Sequence, residues 1–429
     1  MAAVWYLLPC REKLPPGALM GLPDELLADI FTIWLLLPDV CRLDSAVCAK
    51  RWRSDFLTLI LTNRIRFLRE EIDVLDSKSL STKTHGALSF PAAKWVLLRK
   101  IHLVSLCLPC DENITDTDQA EIGELIISLL NNGLLDKLET VALTNCTYLE
   151  RTDLAKILSK NFSTIRSLDI TGWGSPGPNF SSKYIKGCTG LKAFCPKGNE
   201  VPEYMVDIIK SFRKLQKLSF YAVGETITND VVQSVADNCH SLEHLDLTYC
   251  TDISDAPIRS VAKSCPLLQF INLRGIILLT DDAVVELCRT CTYLQDIDLG
   301  DCGLLTDQSV LAVAELPGLR SICLKRISTT SAAVQTLARR CRGLRYIDIA
   351  YCANICDITL REIAEQCSKL EELYVEGCPN VTSTGLTLIA YLCKNISTVS
   401  HTKFNNLSYK SLILIYPMVM WCTRREIVL

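Results

Sequence analysis

From Cys239 onward the chain writes one pattern three times in succession: CHSLEHLDLTYCTDISDAPIRSVAKS, CPLLQFINLRGIILLTDDAVVELCRT and CTYLQDIDLGDCGLLTDQSVLAVAE. The period is about 26 residues, and further copies open at Cys341 and Cys367. Within the first copy, Leu245 and Leu247 alternate with His244 and Asp246. That period of two predicts a short strand with one buried and one open face. After a turn, Ile258, Val261 and Ala262 recur at the i, i+3, i+4 spacing of a helix. Ser254-Asp255 stands at the start of that helix, and Thr280-Asp281, Thr306-Asp307, Thr228-Asn229 and Thr115-Asp116 stand at the equivalent points. Their side-chain oxygens are expected to cap the helices that follow. Each copy is thus a strand, a turn, a helix and a return.

The phrase Leu242-x-x-Leu245-x-Leu247-x-x-Cys250 has the L-x-x-L-x-L-x-x-N/C form of a leucine-rich repeat. Stacked copies place their strands side by side in a parallel sheet, about 4.8 Å apart. Helices are wider than strands, so the stack must curve, with the parallel sheet inside and the helices outside. The expected fold class is therefore α/β, a leucine-rich-repeat solenoid. Copies are read from Leu98, Leu135, Phe162, Cys188, Phe212, Cys239, Cys265, Cys291, Leu316, Cys341, Cys367 and Cys393. The first is long, with an insertion through Asn113 to Gln119. Gly172 to Pro202 is rich in Pro and Gly, which reads as a loop leaving the array. Either a degenerate copy or a contact loop accounts for it.

A solenoid presents a long surface, so the question becomes which partner it holds. Composition narrows the answer. The chain has 429 residues and a formal net charge of −3, which gives no general attraction to nucleic acid. No run approaches the roughly 18 apolar residues of a membrane span. The apolar opening MAAVWYLLPC lacks the basic region and cleavage site of a signal peptide. The expected location is cytoplasmic or nuclear. There are 22 cysteines, and twelve of them occupy two repeat positions. Cys188, Cys239, Cys265, Cys291, Cys341, Cys367 and Cys393 open copies, and Cys146, Cys250, Cys302, Cys352 and Cys378 recur further along. They read as small buried hydrophobes rather than disulfides or metal ligands. The pairs Cys107/Cys110 and Cys288/Cys291 lack the second pair that a zinc site needs. No metal and no cofactor is expected.

Residues 21–60 break from this pattern. Leu26, Leu27, Ile30 and Phe31 form an apolar helix face, Pro38-Asp39 interrupts it, and Val40, Leu43 and Val47 begin another. So small a helical unit leaves apolar surface for a partner. Leu22-Pro23-Asp24-Glu25-Leu26-Leu27, Ile30-Phe31, Val47-Cys48 and Trp52 resemble an F-box. Followed by cysteine-containing leucine-rich repeats, the chain is similar to the F-box/leucine-rich-repeat proteins. The resemblance implies a small all-α F-box over 19–60, a connector over 61–97, a solenoid of about 12 copies over 98–418 and a tail over 419–429. It also implies a non-catalytic substrate receptor of an SCF-type cullin ubiquitin ligase, whose F-box docks on a Skp-type adaptor while the repeats hold a protein substrate. Transferred residue by residue, the adaptor contacts are Leu22, Pro23, Ile30, Phe31, Leu37, Val40, Val47, Cys48 and Trp52. These same residues could instead form the core of the helical unit. The spacing from Ile30-Phe31 to Val47-Cys48 is longer than in many F-boxes. A protein-binding scaffold with a vestigial F-box is therefore the alternative.

No Walker loop, G-x-S-x-G elbow or dinucleotide fingerprint occurs. His240 and His244 sit in HSLEH, not H-E-x-x-H. Cys323, expected to face outward beside Lys325 and Arg326, is the single candidate for a reactive thiol. The binding surface is expected on the open face of the strands. It comprises His244, Asp246, Tyr249, Phe270, Arg274, Asp296, Asp298, Lys325, Tyr346, Asp348, Tyr351 and Tyr374. Asn272, Asp301, Arg326, Glu372 and Glu376 adjoin them. Acidic and aromatic residues together suit a basic peptide or a Lys/Arg-bearing protein surface. The aspartates between leucines could equally serve only to keep the strands soluble.

Overall fold

The computed structural model describes residues 103, 105–107, 116–143, 151–170, 184–196, 205–221 and 227–400. The F-box-like segment with its nine expected adaptor contacts, the connector and the tail all lie outside these residues. The chain divides into two compact units, Met1–Trp173 and Gly174–Leu429.

In the first unit, β1 (Ser105–Cys107), β2 (Thr140–Ala142) and β3 (Ser167–Asp169) pair in parallel, with Leu106, Val141 and Leu168 in register. Helices α1 (Asp116–Asn131) and α2 (Arg151–Asn161) connect them. Asn161, fully buried, ties the unit together. Its Oδ1 accepts from the Leu138 N–H at 2.8 Å, and its Nδ2 donates to the carbonyls of Leu135 (2.7 Å) and Ile157 (2.8 Å).

The second unit holds β4 (Ala193–Cys195), β5 (Lys217–Ser219), β6 (His244–Asp246), β7 (Phe270–Asn272), β8 (Asp296–Asp298), β9 (Ser321–Cys323), β10 (Tyr346–Asp348), β11 (Glu372–Tyr374) and β12 (Thr398–Ser400). Each strand pairs in parallel with the next. The helices between them are α3 (Met205–Ile209), α4 (Asn229–Asn238), α5 (Asp255–Ser264), α6 (Asp281–Thr290), α7 (Asp307–Val313), α8 (Ser331–Arg340), α9 (Asp357–Gln366) and α10 (Ser383–Leu392). This is the leucine-rich-repeat solenoid fold that the period implies. Part of the Gly172–Pro202 stretch expected to be a loop is ordinary array, since Ala193–Cys195 forms β4. The GWGSPGPNF segment lies outside the described residues.

The middle residue of each central strand explains the packing. Leu245, Ile271, Ile297, Ile322, Ile347 and Leu373 are all buried between sheet and helices. Ile258, Val261 and Ala262 of α5, with their counterparts Val284 and Leu287 of α6, close the other side. Among the described residues, Phe194, Phe212 and Phe220 are the bulkiest fully buried side chains, and the Phe194 and Phe212 rings meet edge to face at 5.2 Å.

The cysteines pack as the repeat positions predict, and they also bond. Cys265 Sγ reaches the Cys239 carbonyl at 3.3 Å and Cys291 Sγ reaches the Cys265 carbonyl at 3.5 Å. Cys302 and Cys378 Sγ reach the carbonyls of Leu273 (3.1 Å) and Ile349 (3.2 Å). Each thiol thus links its copy to the one before. Burial pushes the Cys239, Cys250, Cys265, Cys288 and Cys302 thiols up to about 12, so they stay protonated. Cys146 and Cys110 lie outside the described residues.

The helix-start polar pairs behave differently from a simple cap. Neither Ser254 nor Thr280 makes a side-chain cap bond to its own helix. Instead, the aspartate at the head of one helix grips the next copy. Asp255 accepts from the Thr280 N–H (2.9 Å) and hydroxyl (2.5 Å). Asp281 accepts from the Thr306 N–H (3.0 Å) and hydroxyl (2.6 Å), and from the Ser309 N–H (3.1 Å) and hydroxyl (2.5 Å). Asp307 binds Thr329 and Thr330 in the same way. Thr306, Thr330 and Thr382 do cap their own helices as well. Thr115 lies outside the described residues.

Partial burial works against the Asp281 charge, but the Ser309 and Thr306 donors outweigh it and hold its carboxyl below the usual carboxylate range. Asp307 is lowered likewise, with Thr330 and Thr329 as donors. A depressed folded value means stability that is complete above about pH 4 and lost as pH falls through that lower value. Asp281→Asn is expected to cost about 1–3 kcal/mol at pH 7, the scale of hydrogen bonds to a charged group. The gap between variant and parent should narrow on acidification, as read from urea unfolding midpoints at pH 7, 4 and 3.

Candidate functional site

Three rows of side chains run across the strands of the second unit. The first row is the opening residue of each strand: His244, Phe270, Asp296, Ser321, Tyr346 and Glu372. All are half-buried on the face opposite the helices. His244 stacks on Phe270 with ring centroids 5.7 Å apart, and Tyr346 lies 5.3 Å from Tyr374. The Tyr374 hydroxyl donates to Glu372 at 3.0 Å. Register places Asp296 between these aromatic pairs. Burial, reinforced by Asp348, pushes the Tyr346 phenol up, so its hydroxyl stays neutral.

The second row closes the strands: Asp246, Asn272, Asp298, Cys323, Asp348 and Tyr374. Here the expected acidic surface is corrected. Asp246 is 1% exposed and Asp348 is 7% exposed. Their carboxylates turn back on the chain. Asp246 Oδ1 accepts from the Thr248 N–H (3.0 Å) and hydroxyl (2.5 Å), and its Oδ2 accepts from the Ser219 hydroxyl (3.1 Å). Asp348 and Asp298 accept from the N–H groups of Ala350 (3.0 Å) and Gly300 (2.8 Å), and Asn272 from that of Arg274 (3.0 Å). At Asp246, Asn272, Asp298 and Asp348 the slot therefore ends the strand by satisfying the N–H two residues on. Burial raises the Asp246 carboxyl despite its donors. Cys323 is corrected too. It is 2% exposed, its Sγ lies 3.5 Å from Asp348, and burial with the nearby Asp298 and Asp348 charges pushes its thiol up. It is no surface nucleophile.

The third row follows the strands and is the most exposed. Tyr249, Asp301, Arg326 and Tyr351 have φ of 57°, 58°, 57° and 60°, and Gly275 and Gly377 share the left-handed geometry at 73° and 65°. The left-handed region costs a side-chain-bearing residue about 1–2 kcal/mol. The strain is held by ladder bonds to the next copy: the N–H groups of Tyr249, Asp301 and Arg326 donate to the carbonyls of Arg274 (2.7 Å), Lys325 (2.7 Å) and Ala350 (2.9 Å).

Side chains on this row interlock. Arg274 Nε and Nη2 donate to Asp301 Oδ2 at 2.9 and 2.7 Å, and Arg326 Nη1 donates to Oδ1 at 3.1 Å. Arg274 lies 6.0 Å from the Tyr249 ring centre, while Arg326 and Lys325 lie 4.7 and 5.5 Å from that of Tyr351. Burial disfavours the Arg274 cation, but Asp298 and Asp301 prevail and raise it. Burial likewise opposes the Asp301 charge, yet Arg326 and Arg274 hold its carboxyl below the usual range. Tyr249 and Tyr351 remain 44% and 40% exposed. The result is a rigid aromatic–cationic strip beside the open sheet, with anchors of the types enriched at protein interfaces. Twelve residues were expected on this surface. The strip and first row bring together Tyr249, Arg274, Lys325, Tyr351, His244, Phe270, Asp296 and Tyr346, with Tyr374 of the second row against Tyr346, whereas Asp246 and Asp348 serve the turns. Asp298 divides its interactions between the turn and Arg274. Arg326 and Asp301, also expected on this face, stand at the centre of the strip.

The described residues contain no group of three or more His, Cys, Asp or Glu side chains placed to hold a metal ion. None of their helices is long and apolar enough to cross a membrane.

A family model described as Leucine Rich repeat matches residues 238–256, the segment running through β6 to the head of α5. No curated protein sequence matches the chain. Among solved structures, the yeast Rad7 and Elc1 complex is similar at 16% identity and a TM-score of 0.52, over 84% of this chain and 88% of that chain. An internalin (inlF) from Listeria monocytogenes is similar at 16% identity and a TM-score of 0.41, over 64% of this chain and 78% of that chain. The repeat match and the first of these likenesses agree with the geometry: the chain carries leucine-rich repeats and has the leucine-rich-repeat solenoid fold.

Proposed function

We propose that this chain is the substrate-recognition subunit of an SCF-type cullin ubiquitin ligase. The N-terminal helical segment docks on a Skp-type adaptor, and the open face of the sheet holds a protein target. The carrying observation is the order of parts: the LP…IF…VC…W motif of Leu22-Pro23, Ile30-Phe31, Val47-Cys48 and Trp52 precedes a repeat array with an anchored aromatic–cationic strip. The similar Rad7 fold is itself seen in complex with a second protein, Elc1, which supports a receptor that works by assembly. The mechanism is proximity. A target held on the sheet meets activated ubiquitin at high effective concentration, and the chain performs no chemistry in that transfer. Such a receptor acts in the cytoplasm or nucleus. With two of its carboxylates occupied by turns, the surface offers a target Arg326, Lys325 and two tyrosines as readily as acids.

The full chain is expected to retain recombinant Skp-type adaptor in a pull-down. Phe31→Ala with Trp52→Ala should reduce that retention at least about 10-fold, the loss of about 1.4 kcal/mol. Far-ultraviolet circular dichroism should be unchanged. A folded parent chain that leaves the adaptor in the flow-through would remove the ligase reading and leave a binding scaffold.

A further inference from the structure

The turns that follow the third row differ in character from copy to copy. Those after β6, β10 and β11 put Asp252, Asn354 and Asn380 into solvent, and the one after β9 puts Ser328 there. After β7 and β8 the same stations carry Ile277, Leu278 and Leu304, which are 56%, 49% and 54% exposed. The repeat does not demand apolar side chains here, since the neighbouring copies fill the stations with polar ones. The two apolar turns also stack. Just before them the Gly275 N–H donates to the Gly300 carbonyl at 2.9 Å, and just after them Asp281 holds Thr306. A lone exposed leucine is ordinary, but bulky side chains grouped on adjacent copies form a patch of the kind that meets another protein.

Positive charge is left over at the same edge. Asp301 alone bonds both Arg274 and Arg326. Among the described residues Lys325 has no carboxylate partner, and its ammonium lies 5.5 Å from the Tyr351 ring centre. The carboxylates beyond the turns, Asp281 and Asp307, are occupied by hydroxyl and N–H donors of the next copy. Two of the acids that favoured a basic partner, Asp246 and Asp348, are spent on turns. Tyr249 and Tyr351 bound the edge on β6 and β10, four strand spacings apart. That is about 19 Å, the reach of about six extended residues. The left-handed backbone at Tyr249, Asp301, Arg326 and Tyr351 is tied to the next copies, so the edge is preorganised and little ordering is lost on binding.

We propose that this edge binds an extended segment of a protein target in which carboxylates stand beside bulky apolar side chains. The apolar side chains seat on Ile277, Leu278 and Leu304, and the carboxylates meet Lys325 and Arg326. The proposal rests on the target-holding part of the reading above and adds the chemistry of what is held. It is independent of the adaptor.

The test selects a random peptide library on the full chain without adaptor, each peptide about 12 residues long, twice the span of the edge. Enriched peptides should share Asp or Glu next to Leu, Ile or Phe. Their binding, read by fluorescence anisotropy, should weaken about threefold or more as salt rises from about 0.1 to 1 M, because exposed charges are screened. Lys325→Gln with Arg326→Gln should weaken it about 10-fold or more, and so should Leu278→Ser with Leu304→Ser, with the circular dichroism of the parent retained in both. Ile358→Ser removes an exposed apolar side chain from α9 and should change nothing. Enrichment of basic peptides, no enrichment at all, or peptides that bind both double variants as tightly as the parent overturns the proposal. So does self-association in sedimentation velocity that Leu278→Ser with Leu304→Ser abolishes, since the occupant is then a second copy of the chain. Adaptor retention by the same samples reports on the ligase reading alone, and its failure leaves an acidic–apolar consensus standing as support for this edge.

Discussion

Phe194→Ala is expected to destabilise the chain by about 3–5 kcal/mol, the upper end of what truncating one core side chain costs. Phe194 holds the central position of β4, where β5 to β11 carry Leu or Ile. Its ring is fully buried and meets Phe212 edge to face at 5.2 Å. The helix that follows β4, α3 (Met205–Ile209), is short and buries Met205, Ile208 and Ile209. Truncation loses both the transfer energy and the packing around an unfilled hole. Urea unfolding followed by circular dichroism measures the size of the effect. Because a repeat array is held by nearest-neighbour contacts, amide exchange should quicken most in β4 and β5 and least in β11. A uniform change across the array would contradict that locality. Phe194→Leu should recover more than half of the loss, since it restores most of the apolar volume.

Gly275→Val is expected to cost about 2–4 kcal/mol, from two separable sources. The backbone there is left-handed at φ 73°, and a Cβ would lie 2.3 Å from Tyr249 Cδ1. The ring of Tyr249 rests where a side chain would stand. Gly275→Ala in the parent should therefore be far more costly than the same change made on Tyr249→Ala. In that background only the backbone penalty of about 1–2 kcal/mol remains. The double-mutant cycle, read from urea midpoints, isolates the clash. Equal costs in both backgrounds would mean that Tyr249 is not fixed against Gly275. Gly377 under Tyr351 repeats the arrangement, with its Cβ position 2.4 Å from Tyr351 Cδ1. The two exposed tyrosines of the candidate surface thus stand on glycines that must stay bare.

The array was legible because the period constrains it so tightly. Cys239, Cys265 and Cys291 recur at one station of a repeated cross-section, and their burial follows from that alone. The strand positions of Leu245, Ile271 and Ile297 follow likewise from alternation. What failed was the fate of polar groups. An aspartate between two leucines looks like a solvent-facing residue on a strand. Asp246 and Asp348 are instead consumed because the chain turns directly after the strand and leaves an N–H two residues on to be satisfied. The Thr-Asp pairs looked self-sufficient within one copy. Their principal partners lie one copy away, and nothing inside a single copy marks that choice. Asn161 was missed for the same reason, as its bonds reach back to Leu135 and Leu138. The substitution of Ser331 and Cys356 for the usual pair was visible in the sequence, but it acquires meaning only once the inter-copy link is known.

The link made by each Asp and Thr, and by each cysteine thiol with the carbonyl before it, joins like to like across adjacent copies. The copies that share this joint can therefore follow one another without new chemistry, the Ser331–Cys356 joint between α8 and α9 being an exception. Gaining or losing one whole unit that carries the Asp–Thr joint would alter the reach of the open sheet by a single strand spacing, about 4.8 Å, and leave like joined to like. The size of the target such a protein can embrace is set by counting, and its identity by the few side chains that vary from one count to the next.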